Sequence, residues 1–335
     1  MPDLDRKREI LRLHTHPDTG SEFWCNRLAR LGLDWEDVLA CPDAVPPVTV
    51  EELRSCGIED FLPRPLRELR PYLITGETSG FSGQPVLACF TEEEFRSGFV
   101  RPFVEQAERV GFPLLVNWLW AGPSGPHIVG KALREILRVV GGTDPFAVDF
   151  DPRWFRKQAR DSLSARRYFA HILSQIDDIL SRQVVEVLYA TPPVVKALAE
   201  RMPEAIRTRI LGVHYAGMAM SEQEYKRCRD AFPNAVHMSG YGNSLFGMFP
   251  ETAFTAAGIE YATQSERVET RVVRMETDGA FADCAVGKRG RIMLSRYDHS
   301  MLILNMVLED EAVRTECGIL DPRRPQKQFE GKLLY

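Results

Sequence analysis

Between residues 86 and 240 the chain alternates short β-favouring runs with amphipathic helical stretches, and this pattern limits the fold more than any other feature. The run at 86–90 is followed by a helical stretch at 92–110 that opens on a Thr91-to-Glu94 capping box. A second run at 113–117 leads through a Gly/Pro-rich loop into a helix at 127–140, closed by Gly141 and Gly142. A long helix is predicted over 153–182, with Phe169, Ile172, Leu173, Ile176, Ile179 and Leu180 at helical spacing. Residues 184–189 read as a buried strand, and Thr191-Pro192 supplies an N-cap and a first-turn proline for a helix at 193–201. A strand at 210–215 and a Ser221-to-Glu224 capping box opening a helix at 222–231 complete the series. Such alternation predicts an α/β fold: a largely parallel sheet covered by helices. Ligands of these sheets sit beyond the carboxyl ends of the strands, which points to the loops at 118–126, 216–220 and 240–247.

The flanks differ from this core. Residues 1–70 read as short helices broken by Pro42, Pro46 and Pro47, with Phe23, Leu28, Leu31 and Leu33 forming one apolar stripe and a second short helix at 50–56. His14 and His16 make an H-x-H pair on a polar segment, read as surface residues rather than metal ligands. After residue 258 strands follow one another without helices, at 259–263, 268–275, 291–297 and 301–308. Turn signals at Asp278-Gly279 and at 287–290 make this a small antiparallel sheet or barrel. A polar tail is expected from Glu309 onward. The segments are therefore a helical 1–70, an α/β core at 71–257, a small β part at 258–315 and a tail at 316–335.

Composition excludes some classes. A net charge of -5 and a pI near 5.9 leave no electrostatic footprint for nucleic acid. Seven cysteines are scattered and never form C-x-x-C, which suits reduced thiols in a cytoplasm rather than disulfides or a zinc ribbon. The start, M-P-D-L-D-R-K-R-E, has no apolar signal core, and no apolar run reaches the length of a membrane span.

One segment carries chemistry. Residues 74–91 read I-T-G-E-T-S-G-F-S-G-Q-P-V-L-A-C-F-T, with Gly76, Gly80 and Gly83 among Thr75, Glu77, Thr78, Ser79 and Ser82. A stretch this rich in Gly and Ser is expected to be a loop. Its N–H groups and hydroxyls would wrap a phosphate; the plainer alternative is an ordinary surface loop. It is not a P-loop, since G-x-x-x-x-G-K-[ST] is absent, and neither G-x-G-x-x-G nor the hydrolase elbow fits.

The run Thr78-Ser79-Gly80-Phe81-Ser82-Gly83-Gln84-Pro85 resembles the phosphate loop T-S-G-T-T-G-x-P of adenylate-forming enzymes, with the phenylacetate–CoA ligase branch most similar. Met238-Ser-Gly-Tyr-Gly-Asn-Ser-Leu-Phe-Gly247 resembles the same superfamily's Y-G-x-[ST]-E segment, in the right order downstream. The resemblance implies the fold of the large N-terminal domain of these enzymes. It implies that Thr78, Ser79 and Ser82, with Gly80, Phe81 and Gly83, hold the ATP phosphates. Tyr241 would stack on adenine beside Gly242 and Asn243, Ser244 would touch the α-phosphate, and Asp310 would bind the ribose hydroxyls. Trp118 and Trp120, in V-N-W-L-W-A-G-P-S-G over 116–125, would face an aryl ring or be plain core tryptophans. Ala216, Gly217 and Met218, with Ser239 and Gly240, would line the rest of the acid pocket.

Two departures shape the implied function. The superfamily's Mg2+-holding Glu is Leu245 here, which offers no oxygen ligand. That leaves water and the ATP phosphates, or Glu251, to hold the ion, or leaves turnover impaired. Only the residues from 311 to 335 follow Asp310, fewer than the mobile lid of roughly one hundred residues that usually ends these enzymes. The resemblance implies ATP- and Mg2+-dependent activation of a small carboxylic acid, aromatic by the branch, as an acyl adenylate in a natural-product pathway. Transfer would follow to CoA, an amine, a hydroxyl or a carrier protein. The competing readings are a member of the fold that binds an aryl acid or nucleotide without turnover, and an enzyme similar to acyl-protein synthetases. Neither nucleic acid nor membrane is an expected partner.

Overall fold

The computed structural model describes residues 3–78, 83–159, 162–215, 217 and 220–325. Two compact units emerge, the first built mainly from Met1–Gly98, Asn243–Gly247 and Ala262–Arg324, the second from Phe99–Gly242 and Met248–Tyr261.

In the first unit, the N-terminal segment forms the short helices Leu4–Thr15, Glu22–Leu31, Trp35–Ala40, Val50–Arg54, Ile58–Phe61 and Arg64–Leu69. Local chemistry sets their ends: Ser21 caps the second, Gly32 at φ 65 ends it, and Thr49 with Glu52 forms a capping box for Val50–Arg54. His14, expected at the surface, is fully buried, and its Nε2 lies 2.8 Å from the Asp298 carbonyl. Burial lowers its pKa to about 4, so it stays neutral in the core.

Strands β1 (Ile74–Glu77) and β2 (Leu87–Phe90) pair antiparallel, Ile74 opposite Phe90 and Glu77 opposite Leu87. The Gly/Ser-rich segment therefore starts as a strand and not as a loop. Its glycine at 76 faces Ala88, and two small residues let the backbones pair. The described ends of the segment are paired strands of one hairpin.

The second unit contains β3 (Trp118–Gly122), β4 (Phe146–Asp149), β5 (Val187–Ala190), β6 (Gly212–Tyr215), β7 (Val236–Asn243), β8 (Gly247–Thr255) and β9 (Gly258–Ala262). Their spatial order is β4-β3-β5-β6-β7-β8-β9; β4 to β7 run parallel, and β8 pairs antiparallel with β9. Helix Leu163–Arg182 buries Ile172, Leu173, Ile176 and Leu180, the stripe expected from spacing, in a core shared with Leu119, Leu188 and Val213. The Thr91 and Ser221 capping boxes form as read.

Several boundaries move. The strand expected at 113–117 begins at Trp118 instead: Pro113 lacks an N–H for the ladder, while all five residues of W-L-W-A-G are buried. The helix expected over 153–182 divides into Pro152–Lys157 and Leu163–Arg182, the second capped by the Ser162 hydroxyl. Most of the loop expected at 240–247 is strand, with Gly240 to Asn243 inside β7 and only Ser244 to Phe246 turning. β8 carries Pro250 and broken alternation, which hid it.

The remaining strands of the first unit are β10 (Val268–Met275), β11 (Phe281–Asp283), β12 (Arg289–Tyr297), β13 (Leu302–Arg314) and β14 (Gly318–Arg323), antiparallel in the order β11-β10-β12-β13-β14. The tail expected from Glu309 is corrected here: β13 continues to Arg314, and β14 follows with Ile319 buried. The molecule is thus an α/β protein with a largely parallel sheet and a smaller antiparallel set of strands. Among the described residues no helix is long and apolar enough to cross a membrane.

Candidate nucleotide and acid site

In the first unit, the mouth of the β1–β2 hairpin is closed by Thr78. Its N–H donates to the Val86 carbonyl at 2.9 Å, and its hydroxyl oxygen accepts from the Val86 N–H at 2.9 Å. The hydroxyl thus gives a lone pair to the hairpin, while its own proton can still serve an acceptor. Ser79, Gly80, Phe81 and Ser82 lie outside the described residues. Gly83 has φ 147, where only glycine sits without strain, and the Arg54 guanidinium lies against it: a Cβ on Gly83 would stand 3.2 Å from Cζ, Nη1 and Nη2. Arg54 Nε also donates to the Gln84 carbonyl at 2.8 Å. Sequence reading missed Arg54. The run 74–91 itself holds no Lys or Arg, so the cation beside Gly83 comes from outside it.

The turn after β7 belongs to the same unit. Asn243 Oδ1 accepts from the Leu245 N–H at 2.9 Å, and the Asn243 carbonyl accepts from the Phe246 N–H at 3.1 Å, which fixes the backbone around the half-buried Ser244. Leu245 buries its side chain, and its carbonyl accepts from Arg296 Nη1 at 3.0 Å. Arg296 is itself fully buried; Nη2 donates to the Cys89 carbonyl in β2 at 2.7 Å, and the guanidinium lies 4.0 Å from the Phe90 ring centroid. One guanidinium therefore ties the β1–β2 hairpin to the 243–247 turn.

Arg296 is anchored in turn by Asp298, which its Nε reaches at 2.6 Å, while Arg267 holds the same carboxylate through two N–H groups. Burial alone would raise the Asp298 pKa, but the two guanidinium charges hold it below the usual carboxylate range. Ser300 Oγ lies 2.5 Å from Glu94 Oε2 and 3.0 Å from the Cys89 carbonyl, extending the buried network to the capping carboxylate. Asp310 sits half-buried in β13, with Oδ1 accepting from Arg324 Nε at 3.3 Å. Its implied role as ribose ligand would compete with this ion pair.

In the second unit, Ser239, Gly240, Tyr241 and Gly242 are consecutive in β7. The Ser239 N–H donates to Glu251 Oε2 at 2.8 Å, and its hydroxyl lies 2.9 Å from the Tyr261 hydroxyl. Gln106 Nε2 bridges the Ser239 and Glu251 carbonyls at 3.3 Å each. Burial pushes the Glu251 carboxyl up to about 7, against the opposing Ser239 N–H and the Arg109 and Arg229 charges. The Tyr241 ring lies nearly parallel to Phe249, centroids 6.1 Å apart, beside Tyr261 at 5.9 Å. Gly242 has open space where a Cβ would be.

Trp118 is a core residue. Phe103, Phe112 and Tyr189 pack around its ring at 5.9, 5.6 and 6.4 Å, leaving it 1% exposed. Trp120 is buried too, with Nε1 donating to Ser124 Oγ at 3.2 Å and its ring lying where a side chain on Gly122 would have to go. Gly217 adopts φ 79 just past β6; Ala216 and Met218 lie outside the described residues.

Among the described residues no group of three His, Cys, Asp or Glu could hold an ion. Leu245 points an alkyl chain into the core, and one Glu251 oxygen is committed to Ser239. Among the described residues the protein groups do not form a Mg2+ cage.

No protein-family model and no curated protein matches the chain. Solved structures do. A 2-hydroxyisobutyryl-CoA ligase, in an open conformation with 2-HIB-AMP and CoA, superposes with TM-score 0.69 at 15% identity, over 96% of this chain and 72% of that one. The same ligase in its thioesterification state gives 0.61 at 14% identity, over 96% and 66%. The ATP-bound chimera RpMatB-BxBclM B1 gives 0.53 at 14% identity, over 76% and 47%. The chain has the adenylate-forming fold. It spans from 65% to 72% of the length of the hydroxyisobutyryl-CoA ligase chains.

Proposed function

We propose that this protein binds ATP and a carboxylic acid and joins them as an acyl adenylate. The observation that supports the proposal is the T-S-G-F-S-G-Q-P run in a chain of this fold, read between two strands that pair antiparallel, Ile74–Glu77 and Leu87–Phe90. In the reaction a carboxylate oxygen attacks the α-phosphorus of ATP. The bond from that phosphorus to the bridging oxygen of the β-phosphate breaks, and pyrophosphate leaves with the bonding pair. The substrate brings its own nucleophile, so no general base is needed. The protein's task is to align the two reactants and to stabilise charge on the phosphates.

Thr78, Ser79, Ser82 and the N–H groups of Gly80, Phe81 and Gly83 would hold the phosphates. Tyr241 would stack on adenine beside Gly242 and Asn243, Ser244 would donate to the α-phosphate, and Asp310 would exchange Arg324 for the ribose. Ser239, Gly240 and Gly217, with Ala216 and Met218, would border the acid. The enclosed ring of Trp118 leaves Trp120 as the tryptophan through which an aryl preference would act. The hydroxyisobutyryl-CoA ligase in its open conformation and in its thioesterification state holds CoA, which makes CoA the first acceptor to try, ahead of an amine, a hydroxyl or a carrier protein.

A second reading, binding without turnover, is favoured by one observation: the buried alkyl chain of Leu245 where the resemblance puts the metal's Glu. The two separate in a pyrophosphate-release assay with ATP and Mg2+ against aryl, short hydroxy and long-chain acids. Acid-dependent release that Ser79→Ala lowers at least about a hundredfold supports adenylation. Acid or nucleotide binding with no release from any acid supports the second reading. A preference for long chains would favour an enzyme similar to acyl-protein synthetases.

A further inference from the structure

Strand β7 would carry the adenine-stacking Tyr241, and a carboxylate from β8 holds the backbone that leads to it. The last described pair of β6 and β7 is Tyr215 with Ser239. Each polar group of Ser239 has a partner: the N–H donates to Glu251 Oε2 at 2.8 Å, the hydroxyl lies 2.9 Å from the Tyr261 hydroxyl, and the carbonyl accepts from Gln106 Nε2 at 3.3 Å. Glu251 is pinned in turn, because its carbonyl accepts from Gln106 Nε2 at 3.3 Å and from Arg109 Nη2 at 2.7 Å, both on helix Arg101–Val110. Across β8 and β9 it stands opposite Tyr261. Tyr241 lies two residues beyond Ser239, on the same face of β7. Its ring neighbours are Phe249, two residues before Glu251, and Tyr261, with centroids 6.1 and 5.9 Å away.

We propose that Glu251 is a positioning residue for the adenine end of the nucleotide site: by holding Ser239 and standing beside Tyr261 it fixes where the Tyr241 ring stands, and so sets the affinity for ATP. This rests on the adenylation reading above, with Tyr241 as the stacking ring. Glu251 acts through Ser239 and Tyr261 and not on the reacting atoms. A carboxylate accepts an N–H more strongly than a neutral acid does, so the clasp is tightest when Glu251 is ionised. Burial brings that ionisation to about pH 7, while Arg109 and Arg229 favour the charged form. Tyr225, on helix Glu222–Ala231, stays neutral there with its pKa pushed up to about 12, and His237, on β7, is held at about 4 by burial. Neither titrates in the range where Glu251 does.

Calorimetry of the full chain with ATP and with inorganic pyrophosphate, which lacks the adenine, tests this in wild type, Glu251→Gln and Glu251→Ala at pH 6 and pH 8. Glu251→Ala is expected to weaken ATP by about tenfold while leaving pyrophosphate within about twofold. Glu251→Gln keeps an acceptor oxygen for Ser239 but does not titrate. It is expected to bind ATP within about threefold of wild type at pH 6 and to fall further behind at pH 8. The ATP phosphates titrate alike in all three proteins, so that difference belongs to Glu251. Equal weakening of ATP and pyrophosphate in Glu251→Ala would mean that Glu251 only braces the fold, and unchanged ATP affinity would mean that Tyr241 needs no clasp; either overturns the proposal. If Glu251→Ala does not fold, Glu251→Gln decides, since a profile parallel to wild type from pH 6 to pH 8 overturns the proposal as well. A folded wild type that binds neither ATP nor pyrophosphate would instead overturn the adenylation reading beneath it.

Discussion

Glu251 shows how far environment can move a residue from what its letter suggests. In the sequence it is one acid among many, of interest only as a substitute oxygen for the position held by Leu245. In the structure its carboxylate accepts the Ser239 N–H, and burial raises its pKa to about 7. Tyr225 on helix Glu222–Ala231 is a further titratable neighbour, its own pKa pushed up to about 12 by burial and by the Glu251 charge, while Arg109 and Arg229 oppose the rise at Glu251. A folded pKa above the unfolded value near 4.5 means that the native state holds the proton more tightly. The contribution of Glu251 to stability is therefore fully present below about pH 4.5 and is lost as pH rises through about 7. Urea midpoints measured at pH 5, 6, 7 and 8 should fall less with pH in Glu251→Gln, which keeps an acceptor oxygen for Ser239 but does not titrate. Identical slopes in the two proteins would contradict the assignment. The tryptophans make the converse point: W-L-W reads equally well as pocket or core, and only the rings of Phe103, Phe112 and Tyr189 around Trp118 decide for core.

At the scale of elements, what was legible depended on whether the signal was local. The Thr91 and Ser221 boxes and the stripe of Leu163–Arg182 are set by residues three or four apart, and they appear where the sequence puts them. Strands are set by partners far along the chain. β8, with Pro250, and the extension of β13 through Glu309 and Asp310 are stabilised by neighbours that no local pattern contains. The same holds for Arg296, an unremarked basic residue in a β run that proves to join β2 to the 243–247 turn. Arg296→Met should leave Asp298 with one guanidinium instead of two and release both the Cys89 and Leu245 carbonyls. The expected cost is about 3 kcal/mol in denaturant unfolding. Arg296→Lys should recover part of it, since the charge returns without the planar fork. A loss below about 1 kcal/mol for the Met variant would show that the network is not cohesive.

At the scale of the molecule, the α/β class was legible because alternation is a repeated signal, and the two motif segments were legible as letters. How segments assort was not. Residues 1–98 share a unit with 262–324, so the N-terminal helices and the β1–β2 hairpin fold with the C-terminal strands, a grouping that depends on contacts more than 200 residues apart in sequence, such as Arg296 to Cys89. Arg54 belongs to the same lesson, since the cation beside Gly83 comes from a helix ahead of the loop. The central claim concerns one bond, from a carboxylate oxygen to the α-phosphorus of ATP, and it is read most directly by isotope. The protein would be incubated with ATP, Mg2+, CoA and a turned-over acid labelled with 18O in both carboxylate oxygens, and the products resolved by mass spectrometry. Acyl-adenylate chemistry predicts AMP carrying one 18O and unlabelled pyrophosphate. Label in inorganic phosphate with ADP as the other product, or AMP free of 18O, would contradict it.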